Sequence, residues 1–160
     1  MKKFTLYLKM FFFLSLCMAF MAFVAKFDIN EDTEYLQKIL TTHYDGTQEG
    51  IPLKKFELNV TNTGLCRYKR YFSSGKVEYF SLNFKKFKDI NYLGTDKRGK
   101  LFLNTKGDDV IVQTYNDRKE GDIDSMAAYI VIPLKDVEPD DLIEMSERLA
   151  RLNAQLSVQK

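Results

Sequence analysis

At 160 residues and 45% hydrophobic, the chain is too apolar for a disordered segment and short enough for one domain with a single core. Two cysteines exclude a disulfide-stapled scaffold, and a single His leaves a structural zinc site short of ligands. The net charge of +2 hides an uneven spread: residues 26–53 carry 2 Lys and Arg against 6 Asp and Glu, residues 54–106 carry 13 against 4, and residues 107–160 carry 6 against 12.

Lys2, Lys3 and Lys9 precede an uncharged apolar run over residues 10–25, followed by Lys26 and an acidic stretch. A charged head before an apolar run is the pattern of an export signal. Residues 10–16 serve as its apolar region, with Cys17 and Ala19 as the small pair before a cut. The same stretch, taken as residues 6–25 with the Lys9 amine snorkelling to the interface, is long enough for a retained anchor with its basic end in the cytoplasm. Leu14-Ser15-Leu16-Cys17 resembles a bacterial lipobox and departs from it at Leu16. Residues 1–25 are therefore expected to be a signal peptide or membrane anchor. The body is expected in the periplasm, the cell envelope or the secreted fraction.

Behind it, residues 26–53 predict a helix and a loop. Asn30 suits the N-cap of a helix to about Thr42, Glu31 and Asp32 suit its first turn, and Leu36, Ile39 and Leu40 form its apolar stripe. Two Gly and a Pro within residues 44–52 punctuate the loop. Period-two alternation then marks strands over 55–60, 65–72 and 77–84, separated by turns at 61–64 and 73–75. Arg70 interrupts the apolar face of the second, which predicts a bulge or an edge there. Further strands follow near Phe87, Ile90 and Tyr92, near Leu101 and Leu103, and near Val110 and Val112. Residues 126–134 read as one continuous apolar strand placed centrally. Pro139 suits the first position of a last helix, and Leu142, Met145, Leu149, Leu152 and Leu156 recur along one face of it.

The fold class that follows is α+β. It is a small antiparallel β-barrel or strongly curved sheet of 6–7 strands with a C-terminal amphipathic helix, preceded by a short helix and the N-terminal signal or anchor. Phe84-Lys85-Lys86-Phe87-Lys88-Asp89-Ile90, two strands in a hairpin, the 126–134 strand and the helix follow in an order that resembles the pleckstrin-homology-like superfold. The resemblance covers residues 54–156 and implies a barrel plus helix over 54–160, with a basic sheet suited to anionic headgroups. The tryptophan usual in that helix is absent, since the chain has none. A cystatin-like or NTF2-like sheet wrapped on the first helix is the alternative.

Catalytic signals are sparse. His43 and Cys66 are the only His and Cys of the body, and His43 reads as a residue favouring a helix C-terminus. Residues 28–32 match the start of a calcium loop, but Thr33 stands where Gly is required, so an EF-hand is rejected. Asp117, Asp122 and Asp124 read as a solvated acidic loop. No catalytic residue, metal ligand or cofactor is expected. The basic centre supplies the candidate site: Lys54, Lys55, Arg67, Lys69, Arg70, Lys85, Lys86 and Lys88, interleaved with Tyr68, Tyr71 and Phe87. Such a face suits an anionic lipid, a polysaccharide or an acidic protein partner. Nucleic acid is not an expected partner in the envelope. The expected function is thus an exported binding or accessory module without catalysis. The rival readings are a carboxylate-dependent hydrolase of an envelope polymer and a membrane-tethered accessory subunit of an envelope complex.

Overall fold

The computed structural model describes residues 28–158, and the predicted signal or anchor over residues 1–25, with Cys17, lies outside the described residues. Among the described residues, two α-helices and eight strands make an α+β fold. Helix α1 is Ile29–Thr42, and a short 3-10 helix, Gly46–Glu49, leads into the strands β1 Leu53–Val60, β2 Leu65–Phe72 and β3 Val77–Asn83. A second 3-10 turn, Phe84–Lys86, joins β3 to β4, Phe87–Gly94. Strands β5 Arg98–Thr105, β6 Val110–Tyr115, β7 Asp124–Ala127 and β8 Tyr129–Lys135 follow, and helix α2, Pro139–Val158, comes last. Among the described residues, no helix is long and apolar enough to cross a membrane.

All pairing is antiparallel, in a five-stranded sheet of order β1-β2-β3-β6-β7 and a three-stranded sheet of order β4-β5-β8. The sheets do not close into the expected barrel. Instead the chain passes between them three times at one corner. Phe84–Lys86 carries it from β3 to β4, the 106–109 turn from β5 to β6, and Ala128 from β7 to β8. The corner is held by Lys106 N–H donating to Lys86 O at 2.9 Å and by the Thr105 N–H and hydroxyl both donating to Ala128 O at 2.8 Å. Helix α2 fastens the same corner, since Asn153 Nδ2 donates to the Phe84 and Lys85 carbonyls at 2.7 and 2.9 Å.

That corner corrects one expectation. The apolar run 126–134 is two strands in different sheets, not one central strand. The bend at Ala128 lets one chain finish pairing with β6 and begin pairing with β5. Eight strands result instead of six or seven. The spacing from Phe87 to Ile90 has a similar origin: the register of β4 on β5 slips between Phe87 and Asp89, so the inward positions change parity.

The core lies between the sheets and the helices. Leu58, Val60, Cys66, Tyr68, Leu82 and Val110 of the larger sheet meet Leu101, Leu103, Ile130, Ile132 and Leu134 of the smaller one. Leu36 and Leu40 of α1, and Met145, Leu149, Leu152 and Leu156 of α2, close the cluster. The α2 stripe read from the sequence is therefore the buried face. Cys66 is sealed inside, where burial pushes its thiol up to about 12.

Helix α1 is capped by Asp28 rather than Asn30, because the Asp28 carboxylate accepts the Asn30 N–H at 2.9 Å. Its Gln37 lies along the outer edge of β1, donating to Leu58 O at 2.9 Å and accepting from Val60 N–H at 2.6 Å. A side-chain amide thereby satisfies a stretch of strand edge that would otherwise invite pairing with another chain. Asp32 lies in the first turn of α1 as expected, and it is also buried in the packing of the two helices. It is 2% exposed and binds Arg148 and Arg151 of α2 at 2.8 and 2.9 Å.

Candidate functional site

Alternation along β2 puts Cys66, Tyr68, Arg70 and Phe72 on the inner face and Arg67, Lys69 and Tyr71 on the outer one. Strand pairing aligns the outer positions into rows. Glu57, Lys69, Tyr79, Gln113 and Asp124 form one row across all five strands. Asn59, Arg67, Ser81, Ile111 and Met126 form the next. Lys55, Tyr71, Val77 and Tyr115 run on the other side of the first row.

At the centre lies an open depression of about 420 Å³ lined by Arg67, Lys69, Tyr79, Gln113 and Tyr115. Lys69 Nζ stands 5.3 Å from the centre of the Tyr79 ring, held by the negative face of the ring. Tyr115 donates its hydroxyl to Gln113 Oε1 at 2.8 Å, which leaves the Gln113 amide hydrogens directed away from that bond. Among the described residues, neither Arg67 nor Lys69 has a carboxylate oxygen within 4.0 Å. Arg67 is exposed, whereas Lys69 is half-buried, with Glu57 its neighbour across the β1–β2 pair and its charge joining the Lys55 bond in lowering the Glu57 pKa.

The other predicted residues are placed elsewhere or paired. Lys55 shares the outer face but bonds Glu57 at 2.6 Å and lies 5.5 Å from the Tyr71 ring. Lys54 is exposed where the β1 register slips between Leu53 and Lys55. Arg70 corrects the expectation most clearly. It is neither at a bulge nor on an edge strand but on the inner face, paired with Glu78, with the rings of Tyr68, Phe72 and Phe80 between 5.2 and 5.7 Å away. Aromatic faces and a carboxylate allow a guanidinium at an otherwise apolar row. Lys85 and Lys86 sit in the corner turn and Lys88 at the head of β4, with Lys86 on Asp109 at 3.2 Å and Lys88 on Asp89 at 3.6 Å. Of the interleaved aromatics, Tyr71 is on the outer face, while Tyr68 and Phe87 are core residues.

The carboxylates that answer the basic segment come largely from loops. Lys76 pairs with Asp117 at 2.7 Å, Lys97 with Asp136 at 3.6 Å, and Arg98 with the buried Asp45 at 3.0 Å. Asp117 also accepts the Lys119 and Glu120 N–H groups. The Lys76 ammonium first, and these two amides next, hold its carboxyl at about 2, below its ordinary 3.8. A lowered folded value stabilises the fold above the unfolded one, and that contribution is lost as pH falls from about 4 towards 2. Asp117→Asn is therefore expected to shallow the fall of the urea midpoint across this window. An unchanged slope would count against the role.

His43 caps α1, with Nδ1 3.0 Å from the Lys135 carbonyl, so that nitrogen carries the proton. It faces the end of β8 while the Cys66 thiol is sealed in the core. Asp122 accepts the Asp117 N–H at 3.2 Å as part of the loop's own bonding. Among the described residues, no group of three or more His, Cys, Asp or Glu side chains is arranged to hold a metal ion. Three lining residues, Tyr79, Gln113 and Tyr115, were not among the sequence candidates. Alternation would have turned each outward, but only the pairing of β3 with β6 brings them beside Arg67 and Lys69. No family model, curated protein or solved structure matches this chain.

Proposed function

We propose that this protein is an exported binding module of the cell envelope that takes an anionic ligand on the outer face of its five-stranded sheet. Export rests on the basic head and apolar run of residues 1–25. The binding reading rests on one observation: Arg67 and Lys69 stand side by side in an open depression with no carboxylate within 4.0 Å among the described residues, while most other cations of the basic segment are paired. Cations with no carboxylate in contact keep much of their attraction for an incoming anion and give it a salt-dependent strength. The lining is made of cations, an amide and phenol rings, which recognises charge and shape. It contains no pair of carboxylates of the kind that polymer hydrolysis through acid and base requires.

The test uses full-length protein extracted in mild detergent and bound to immobilised dextran sulfate. Wild-type protein should be retained and released by salt, and Arg67→Glu with Lys69→Glu should weaken retention at least about tenfold. Lys97→Glu with Lys100→Glu makes the same charge change in the β4–β5 hairpin of the smaller sheet and should have much the weaker effect. If both double variants elute at the same salt, net charge alone governs binding and the face has no special role.

A further inference from the structure

We infer that the ligand of this face is an acidic sugar residue within a polysaccharide, a uronate whose carboxylate meets Arg67 and Lys69 and whose ring lies against Tyr79 and Tyr115. The inference rests on the preceding reading of the face as an anion site and adds the chemical class of the anion.

Size is the first argument. From β2 to β6 is two strand spacings, about 9.6 Å, and neighbouring outward residues on one strand are about 6.8 Å apart. Arg67 and Lys69 form one wall, Gln113 and Tyr115 the other, and Tyr79 the floor between them. That footprint accepts one pyranose ring with its substituents. The depression is open, so a chain can continue on either side of the bound residue.

The donor set is the second. Arg67, Lys69 and the Gln113 amide offer hydrogens, and the Tyr115 oxygen, having donated to Gln113, is left to accept one. A sugar carboxylate answers the cations, and ring hydroxyls answer the amide and the phenol. A guanidinium can hold both carboxylate oxygens at once. The Lys69 ammonium lies over the Tyr79 ring, so charge and aromatic face converge at one place. A uronate carries its charge on the ring whose C–H face would lie there.

Charge distribution argues against a bilayer. Recognition of anionic lipid by charge takes clusters of about four to eight basic residues. Here the central row ends in Glu57 on one side and Asp124 on the other, and Lys55 is bonded to Glu57. The cations of the depression are therefore the Arg67 and Lys69 pair, flanked by carboxylates, the scale of one anionic group rather than a membrane surface.

The experiment compares full-length protein in mild detergent on polygalacturonate, fully methyl-esterified polygalacturonate, dextran sulfate, and vesicles of equal phosphatidylcholine and phosphatidylglycerol. Variants are Tyr115→Ala, which removes an exposed ring, and Arg67→Glu with Lys69→Glu. Their thermal unfolding is checked against the parent. Expected are binding to polygalacturonate, its loss on esterification, and a weakening of about tenfold for Tyr115→Ala. Equal binding to dextran sulfate with no effect of Tyr115→Ala would overturn the sugar assignment and leave the anion site standing. Preference for the vesicles would overturn it in favour of a lipid face. Binding to none of the four would overturn the anion site as well.

Discussion

Asp32→Ala is expected to destabilise the fold by about 3 kcal/mol, read as a lower urea midpoint with an unchanged slope. Asp32 is the one buried carboxylate between the two helices, and it receives Arg148 Nη1 at 2.8 Å, Arg151 Nη2 at 2.9 Å and Arg151 Nε at 3.3 Å. Removing one partner of a buried ion pair costs about 3–5 kcal/mol, because the remaining charge stays desolvated without its counterion. The lower end applies here for two reasons. Arg148 keeps Glu144 at 2.8 Å and Glu31 at 3.4 Å, and the Arg151 side chain is 28% exposed. Arg148 also lies 4.2 Å from the Tyr35 ring, which holds it in place. The triad joins α1 to α2 by charge. A double-mutant cycle tests that: Asp32→Ala and Arg151→Ala should fall short of additivity by at least about 0.5 kcal/mol. Additive losses would mean that the pair seen at 2.9 Å contributes nothing of its own.

Gly64→Ala should cost about 2–5 kcal/mol, a large effect for one methyl group. Gly64 closes the β1–β2 turn at φ +76, a conformation that costs an L-residue about 1–2 kcal/mol. A Cβ there would also lie 2.1 Å from Leu156 Cδ1 of α2, and overpacking of that kind adds about 1–3 kcal/mol. Two constraints of different origin thus meet at one residue. The turn needs the left-handed conformation, and the helix needs the space. They separate in the variant Leu156→Ala, which empties the space at its own cost of about 2–5 kcal/mol. Adding Gly64→Ala to that background should cost only the conformational part, about 1–2 kcal/mol. If Gly64→Ala costs the same in both backgrounds, the close approach of Leu156 is not what the glycine serves.

Much of the local structure could be read from sequence because it depends on neighbours a few residues apart. The α2 stripe from Met145 to Leu156 repeats at the helical period, and the alternation of β2 separates Cys66 and Tyr68 from Arg67 and Lys69 without reference to the rest of the chain. The turns at 61–64 and 73–75 carry their own glycines for the same reason. Arg70 shows the limit of that reading. Its alternation pointed inward and Tyr68 and Phe72 flank it on its own strand, yet the partners that complete its surroundings, Glu78 and Phe80, come from β3.

Strand order was beyond local reading altogether. The pairing of β3 with β6 joins residues thirty or more positions apart, and the crossing at Ala128 is held by Thr105. Those choices depend on which long loops close and which faces fit once the core forms. Sequence by itself determined the apolar N-terminal segment, the α+β class, the buried helix face and the basic centre. Only the tertiary structure decided that Arg67 and Lys69 stand beside Tyr79, Gln113 and Tyr115, that Arg70 meets Glu78, and that Asp32 is buried. Period and composition act over a few residues, whereas a site is assembled across strands that are neighbours only in the folded sheet.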